Sequence, residues 1–340
     1  MNIGASRHQQ LVIETIQLGP TGRTTTRLGF GCAHLAGAMG RRESLAILEC
    51  AYDAGIRHFD VARMYGSGDA ERCVGKFARR HRDDITITTK LGISPGPKNR
   101  LRHAARTALR PIFRLAPRLK PSRTTVENLS PPAKVRTSFT VEDAEQSLHA
   151  SLAALKTEHV DLLLLHEATA ADLNDDRLLQ FLENALTSGK IGAFGVGSDR
   201  NNIDGLLTHR PQYCKIVQYQ WSVFDKPPRH AHSFRIHHGA FAKSLQPVRA
   251  GLENDPDRRR RWSAAVGLDL SQNETFAKLA FKASLVLNPN SIILFASTQP
   301  RHVMDNCITA NDSKLDAPCR RFFEMIHKDI CAAGALERKS

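Results

Sequence analysis

Residues 57–90, RHFDVARMYGSGDAERCVGKFARRHRDDITITTK, contain a strand, a helix and a second strand in order. The runs His58–Asp60 and Ile85–Thr89 have the pattern of short buried strands, and a helix is expected to begin near Asp69 between them. Parallel strands are normally joined through a helix in this way. The stretch therefore predicts the repeating unit of an α/β fold.

The same alternation continues along the rest of the chain. Six further runs are candidate buried strands: Leu28–Gly31, Val160–Leu165, Ala193–Val196, Ile216–Gln218, Ser233–Ile236 and Ile292–Phe295. Between the strands lie stretches with apolar residues at helical spacing: Glu43–Ala54, Val141–Leu155, Arg177–Leu186 and Glu274–Leu287. Eight strands separated by helices favour a closed (β/α)8 TIM barrel over an open doubly wound sheet.

The N-terminal part of the chain predicts a lid for one end of this barrel. Glu14–Gln17 and Thr24–Thr26 flank the turn sequence GPTG, which is typical of a β-hairpin, and we expect this hairpin to close the barrel floor. Residues 1–340 are then expected to form a single barrel domain, because barrels commonly reach this length. The stretch from Ala240 to about Gln272 shows no clear element.

Composition narrows the class of protein. A hydrophobic content of 41% and a charged content of 24% are typical of a soluble globular protein. No apolar run approaches the roughly 20 residues that span a bilayer, and the first residues lack the pattern of a secretory signal. The seven cysteines are scattered without a C-x-x-C pair or zinc spacing. We expect a cytoplasmic protein with reduced thiols and no metal site.

The net charge of +14 is concentrated in one insertion, at about residues 95–136, which carries eleven lysines and arginines against the single acid Glu127. Arginines recur there every four residues from Arg102 to Arg118. Three interpretations stay open: a loop covering the barrel mouth, a lid that attracts an anionic substrate or cofactor phosphates, and a contact with a membrane surface or nucleic acid. Because the remaining chain is nearly balanced, we do not expect a nucleic-acid partner.

Titratable residues stand where three of the predicted strands end. Asp60, Lys90 and His166 directly follow apolar runs, and Tyr65 lies in the loop after Asp60. Active sites of such barrels are built at the C-terminal ends of the strands, so these side chains are expected to meet. A charged lysine is expected to lower the pKa of the tyrosine, and the aspartate to keep the lysine charged. The tyrosine would then donate a proton to a developing alkoxide, with His166 orienting the carbonyl.

On these residues the sequence resembles the aldo-keto reductase family. The stretches HFDVARMYGSGDAERCVGKF, ITITTK and VDLLLLHE are similar to the family's catalytic segments, and LGFGCAHLAG, GKIGAFGVGS, VQYQWSVFD and ASTQPRHVMDN extend the likeness along the chain. The resemblance implies an NAD(P)H-dependent reductase that converts an aldehyde or ketone to an alcohol. Asp60, Tyr65, Lys90 and His166 would be its catalytic tetrad, with Tyr65 as general acid.

The resemblance also implies a cofactor site, with departures from the family pattern. No G-x-G-x-x-G follows a strand, so a Rossmann site is not expected. Seven positions are implied to contact the cofactor: Ser198, Gln218, His237, Ser297, His302, Asp305 and Asn306. The aromatic residue that stacks on the nicotinamide falls near Ile236–His237, so the stacking is either done by His237 or absent. Gly197 and Ser198 replace a Ser-Asn pair, and Ala296 replaces a phosphate-binding cation. NADPH is expected ahead of NADH.

Some alternatives remain at this stage. His34 follows the first barrel strand and either lines the substrate mouth or is an ordinary loop residue. His302 is either a cofactor contact or a surface helix residue. The departures at Gly197, Ser198 and Ala296 also allow a nicotinamide-nucleotide-sensing barrel with little turnover. The basic insertion allows a third hypothesis, in which the protein is an interaction module that binds a polyanion.

Overall fold

A computed structural model of the 340-residue chain describes residues 12–37, 39–95, 134–226, 232–241 and 245–336. The strands are β1 (Thr15–Gln17), β2 (Thr24–Thr26), β3 (Leu28–Gly31), β4 (His58–Asp60), β5 (Thr86–Leu91), β6 (Ile93–Pro95), β7 (Lys134–Arg136), β8 (Val160–His166), β9 (Ile191–Gly197), β10 (Ile216–Gln220), β11 (Phe234–His238) and β12 (Ser291–Phe295). The described α-helices are α1 (Arg41–Asp53), α2 (Asp69–Ala78), α3 (Val141–Leu155), α4 (Asp176–Thr187), α5 (Arg200–His209), α6 (Leu245–Asn254), α7 (Pro256–Val266), α8 (Asn273–Leu287), α9 (Pro300–Asn311) and α10 (Asp316–Leu336).

Eight of the strands form a closed parallel barrel in the order β3-β4-β5-β8-β9-β10-β11-β12, and β12 pairs back onto β3. The predicted (β/α)8 TIM barrel is therefore confirmed. All eight predicted runs fall on barrel strands, and the ends differ by at most two residues: β5 extends to Leu91, β10 to Gln220 and β11 to His238, and β9 begins at Ile191.

The predicted N-terminal hairpin is also present. β1 and β2 pair antiparallel, and the turn between them carries Leu18, which is fully buried in the apolar cluster that fills one side of the barrel interior. The hydroxyl groups of Thr25 on β2 and Thr86 on β5 lie 2.7 Å apart. The hairpin therefore closes the floor of the barrel, opposite the C-terminal ends of its strands.

The barrel interior has an apolar side and a polar side. The apolar side is formed by Leu162, Leu164, Ala193, Ile216, Ile236, Ile292 and Leu294. The polar side is formed by the polar side chains His58, Thr86 and Thr88 of β4 and β5. On it, Nδ1 of His58 lies 3.0 Å from the Thr86 hydroxyl and Nε2 lies 3.3 Å from the Thr88 hydroxyl. Both histidine nitrogens therefore have partners, as buried polar groups require.

Two segments differ from a regular barrel. The stretch from Ala240 to Gln272, predicted without a clear element, contains the helices α6 and α7, which pack with α8 and α10 around Trp262 and Phe322. The insertion begins and ends in the short antiparallel pair β6–β7, and residues 96–133 lie outside the described residues. No helix in the described part of the chain is long and apolar enough to cross a membrane.

Candidate active site

A cavity of about 490 Å³ opens at the C-terminal ends of the barrel strands. Its lining includes all four residues of the predicted tetrad, Asp60, Tyr65, Lys90 and His166. They come from the end of β4, the loop after it, and the ends of β5 and β8. The structure thus brings together four side chains that are separated by up to about a hundred residues in the sequence.

Lys90 is the centre of this group. Its Nζ forms an ion pair with Asp60 Oδ1 and lies 3.5 Å from the Tyr65 hydroxyl. Both members of the ion pair are almost completely buried, at 2% and 3% exposure. The second carboxylate oxygen of Asp60 accepts a hydrogen bond of 2.7 Å from Nε2 of Gln218 on β10. Asp60 therefore has partners on both oxygens and keeps Lys90 beside Tyr65.

The rings of Tyr65 and His166 lie next to each other in the cavity lining. The Tyr65 and His166 ring centroids are 6.4 Å apart, and the ring planes are nearly perpendicular at 89°. Tyr65 stands at the start of a single 3-10 turn, Tyr65–Gly68, in which Gly66 and Ser67 have left-handed backbone angles. This turn places the phenol ring at the cavity wall.

The pKa of Tyr65 corrects one expectation from the sequence. Burial raises the pKa of Tyr65 above the ordinary value of 10, and the nearby charge of Lys90 opposes that rise without cancelling it. For Lys90 the balance is different: burial alone would lower its pKa, but Asp60 and Tyr65 together raise it. The site therefore holds a protonated phenol beside a permanently charged lysine.

Two of the implied cofactor positions belong to the same cavity. Gln218 and Ser198 both line it, next to Gly197. The Ser198 hydroxyl accepts a hydrogen bond of 3.2 Å from Nδ2 of Asn202, so its own proton is free to point elsewhere. A methyl group at Gly197 would lie 3.4 Å from Oε1 of Gln218. The amide oxygen of Gln218 thus lies on the side of Gly197, where the wall carries no side chain.

The position of His237 is a second correction. His237 is fully buried behind the barrel wall, with its ring 4.7 Å from the Tyr219 ring and 5.9 Å from the Trp221 ring. The next residue, His238, lines the cavity instead. Successive side chains of a strand point to opposite faces, so one residue of difference in position decides which histidine faces the cavity.

The remaining predicted positions are not among the residues that line the cavity. The Ser297 hydroxyl accepts a hydrogen bond of 3.0 Å from the backbone NH of Gln299, just before α9 begins. His302 is exposed on α9, and Asp305 lies 3.6 Å from the guanidinium of Arg301. Asn306 is half-buried on the same helix. His34 is exposed, and its neighbour Ala33 lines the cavity in its place.

The insertion is attached at the cavity mouth. Arg136, at the end of β7, donates a hydrogen bond of 2.9 Å to the carbonyl oxygen of Glu167, the residue after His166. Pro95, at the end of β6, lies close to Gly68 in the turn that follows Tyr65. The part of the insertion in between, residues 96–133, is outside the described residues, so its role at the mouth stays a prediction.

The sequence profile of the Aldo/keto reductase family matches residues 27–238, which is more than half of the chain. The chain belongs to the aldo/keto reductase family. A D-threo-aldose 1-dehydrogenase from a Pseudomonas species is 32% identical over 184 residues, covering 50% of this chain and 49% of the relative. An oxidoreductase from Bacillus subtilis is 25% identical over 236 residues, covering 69% of this chain and 65% of the relative. The matches thus span about half to two thirds of these curated relatives.

Solved structures support the same fold. An aldo-keto reductase from Bacillus halodurans, in its holo form, has a TM-score of 0.65 at 18% identity, covering 91% of this chain and 96% of that chain. An aldo/keto reductase from Klebsiella pneumoniae, in complex with NADP and acetate, has a TM-score of 0.60 at 17% identity, covering 92% and 96%. At these identities the likeness concerns the fold of the barrel.

Sequence reasoning missed two residues near the tetrad. His238 was missed because β11 extends two residues past the predicted strand end. Glu71 on α2 was missed because an acid near a helix start is usually exposed, yet it is only 2% exposed. A signal was available for Glu71, since it shares a helical face with Val74 and Ala78, which are buried.

Proposed function

We propose that the protein is an NAD(P)H-dependent oxidoreductase that reduces a small aldehyde or ketone, with Tyr65 as general acid. The observation that carries this proposal is the position of Lys90, which is paired with Asp60 and 3.5 Å from the Tyr65 hydroxyl at the cavity wall. Family membership supports the reaction class. The activity of the whole protein is proposed here because the curated relatives are matched over only part of their length.

Tyr65 is suited to donate a proton. Its raised pKa keeps the phenol protonated near neutral pH, and donation leaves a phenolate whose charge Lys90 stabilises. Asp60 keeps Lys90 charged throughout this exchange. In this proposal His166, whose ring is next to that of Tyr65, donates a hydrogen bond to the substrate carbonyl and orients it.

The cavity wall fits a nicotinamide. When bound there, a reduced nicotinamide supplies the hydride. The Gln218 amide oxygen and the Ser198 hydroxyl offer an acceptor and a donor for a carboxamide, and Gly197 leaves the space between them free of a side chain. We propose that His238, in place of His237, lies against the nicotinamide ring. Ser297, His302, Asp305 and Asn306 remain our proposed contacts for the adenosine end.

NADPH is our proposed first cofactor. The Klebsiella pneumoniae neighbour binds NADP, and that fact supports the choice by analogy of fold. Arg301 and His302, in the first turn of α9, are the described cationic candidates nearest to the adenosine end. Because Arg301 is 83% exposed and already lies near Asp305, its contribution to phosphate binding should be modest.

The test is the exchange of Tyr65 for phenylalanine. Purified protein is supplied with NADPH or NADH and a panel of small aldehydes, ketones and aldoses, with aldoses included because of the Pseudomonas relative. We expect Tyr65→Phe to lower kcat by about 10²- to 10⁴-fold, the range for loss of a general acid. Tyr52→Phe is the matched control, because the Tyr52 hydroxyl bonds Asp84 on the outside of the barrel, 2.9 Å away.

A nicotinamide-sensing barrel is the second candidate. It is favoured by Gly197, which presents no side chain to the cavity where the family pattern has a serine. Tight binding of NADPH, with equal and negligible turnover in wild type and Tyr65→Phe, would support sensing and contradict catalysis. Turnover that Tyr65→Phe abolishes and Tyr52→Phe retains would exclude it.

A further inference from the structure

Glu71 is a buried carboxylate that the proposed proton transfer does not use. It lies in the first turn of α2, on the outer side of the barrel wall, and is 2% exposed. A buried acid is costly unless it is paired and hydrogen-bonded. The partners of Glu71 therefore show what its burial achieves.

The first partner is on the strand that carries the lysine. The hydroxyl of Thr89 donates a hydrogen bond of 2.7 Å to Oε1 of Glu71, and both groups are buried. Thr89 directly precedes Lys90 on β5, and the two side chains point to opposite faces of the strand. Glu71 thus ties α2 to the backbone from which Lys90 enters the barrel.

The turn that begins at Tyr65 leads directly into α2, whose first turn carries Glu71. Burial raises the pKa of Glu71, and the Thr89 and Ser151 hydroxyls and the charge of Arg63 oppose this rise. Nη1 of Arg63 also donates a hydrogen bond of 3.0 Å to the Ser147 carbonyl oxygen on α3. Arg63 precedes Tyr65 by two residues, and the Tyr65 NH bonds the Ala62 carbonyl within the same loop.

We propose that Glu71 is a positioning residue for the general acid. Its hydrogen bond with Thr89 holds the first turn of α2 against the backbone next to Lys90, and α2 directly follows the turn Tyr65–Gly68. This hydrogen bond therefore contributes to the separation of 3.5 Å between the lysine nitrogen and the phenol oxygen. The proposal rests on the proposed function for its catalytic consequence, but the geometry it predicts has a spectroscopic readout of its own.

The test compares Glu71→Gln with Asp161→Asn. Asp161 is equally buried, pairs with Arg82 at 3.1 Å, and also anchors β5, since its Oδ2 accepts a 2.8 Å hydrogen bond from the Ile87 NH. It lies at the other end of the strand, near the floor. Each variant removes a buried charge that hydrogen-bonds β5, from α2 in one case and from β8 in the other, at different distances from the site.

The primary readout is the ionisation of Tyr65, followed by ultraviolet absorbance of its phenolate as pH rises. The chain has four tyrosines, so subtraction of the Tyr65→Phe titration isolates this one. We expect Glu71→Gln to raise the pKa of Tyr65, because Lys90 opposes the effect of burial only while it is held close. Asp161→Asn should lower the melting temperature without changing that pKa. Circular dichroism verifies that each protein stays folded through the titration.

Turnover is the second readout. Glu71→Gln should lower kcat about tenfold with KM little changed, as expected for misplacement of a catalytic group, while Asp161→Asn should stay within about twofold of wild type. Glu71→Gln weakens the hydrogen bond from Thr89, since its neutral amide oxygen can still accept; Thr89→Val removes that bond and Thr89→Ser retains it. An unchanged Tyr65 pKa in Thr89→Val overturns the proposal even if the wild type is active. An inactive wild type with a shifted Tyr65 pKa overturns the proposed function and supports the positioning role.

Discussion

Burial acts in opposite directions on the two kinds of titratable ring inside this barrel. It raises the pKa of Tyr65 and lowers that of His58 to about 4, because in each case the charged form loses contact with water. Both groups are neutral near pH 7 as a result. The Asp60–Lys90 ion pair thus lies next to two neutral polar rings, and its charges act on the pKa values of both Tyr65 and His58.

His58 predicts a specific loss of stability in acid. Its pKa is about 4 in the folded protein against an ordinary 6.5, so below pH 6.5 the unfolded chain binds a proton that the folded chain does not. Stability should therefore fall as pH decreases from about 6.5 to 4, by roughly 3 kcal/mol for this residue. Denaturant unfolding at several pH values measures it.

His58→Gln should flatten this dependence, because an amide can bond Thr86 and Thr88 without titrating in that range. Part of the acid sensitivity should remain, since burial also lowers the pKa of His237 to about 3. His149→Gln, on the exposed face of α3, is the control and should follow the wild-type curve. An equally steep curve in His58→Gln would contradict the argument.

At the scale of the element, the turn Tyr65–Gly68 depends on close packing against the loop after β3. Gly66 has a φ of +55°, and a Cβ there would lie 2.5 Å from the Leu35 carbonyl oxygen and 3.0 Å from the Ala36 Cβ. Contacts this short with backbone force the turn to move. Because Gly66 directly follows Tyr65, the movement would displace the phenol ring.

Gly66→Ala should therefore lower kcat by about tenfold or more, in addition to a loss of stability. Gly22→Ala is the matched control: its φ is +72°, and a Cβ there meets nothing within 4 Å in the hairpin turn. That variant should lose about 1 kcal/mol of stability from backbone strain and keep its turnover. Steady-state kinetics and thermal denaturation distinguish the two. Equal activity in both variants would show that the turn adapts without moving Tyr65.

At the scale of the whole molecule, the sequence predicted those strands and helices that have a clear local residue pattern. Parallel strands buried on both faces read as apolar runs, so all eight barrel strands were visible without the structure. The helix α7 was not, because its sequence PDRRRRWSAAV buries only Trp262 and Val266. Its stability comes from a distant partner, since Asp329 on α10 accepts hydrogen bonds from both Arg258 and Trp262. The local sequence of α7 does not indicate this contact with Asp329.

The predictions for the active site also divide into those that strand order decides and those that exact positions and distances decide. The positions of Asp60, Tyr65, Lys90 and His166 at or just after strand ends predicted that they lie around one cavity, because a parallel barrel brings the C-terminal ends of all its strands to one face. Lys90 acts on the pKa of Tyr65 in the predicted direction, but burial outweighs it and raises the pKa, a balance that only distances and depth of burial decide. His238 was not considered for the cavity, and His237 was, because the end of β11 could not be located to one residue.

Ligand-linked unfolding tests the cofactor at the level of the whole fold. A ligand that binds only the folded barrel stabilises it by about 2.7 kcal/mol at a hundred times its Kd, so NADPH and NADH can be compared through the melting temperature they produce. We expect NADPH to bind more tightly, by about tenfold or less, because the guanidinium of Arg301 is highly exposed and shared with Asp305. Arg301→Ala should weaken NADPH and leave NADH unchanged, since only NADPH carries the additional phosphate. Equal or stronger stabilisation by NADH in the wild type would contradict the expected preference. The same loss for both cofactors in Arg301→Ala would show that the arginine contacts a part they share.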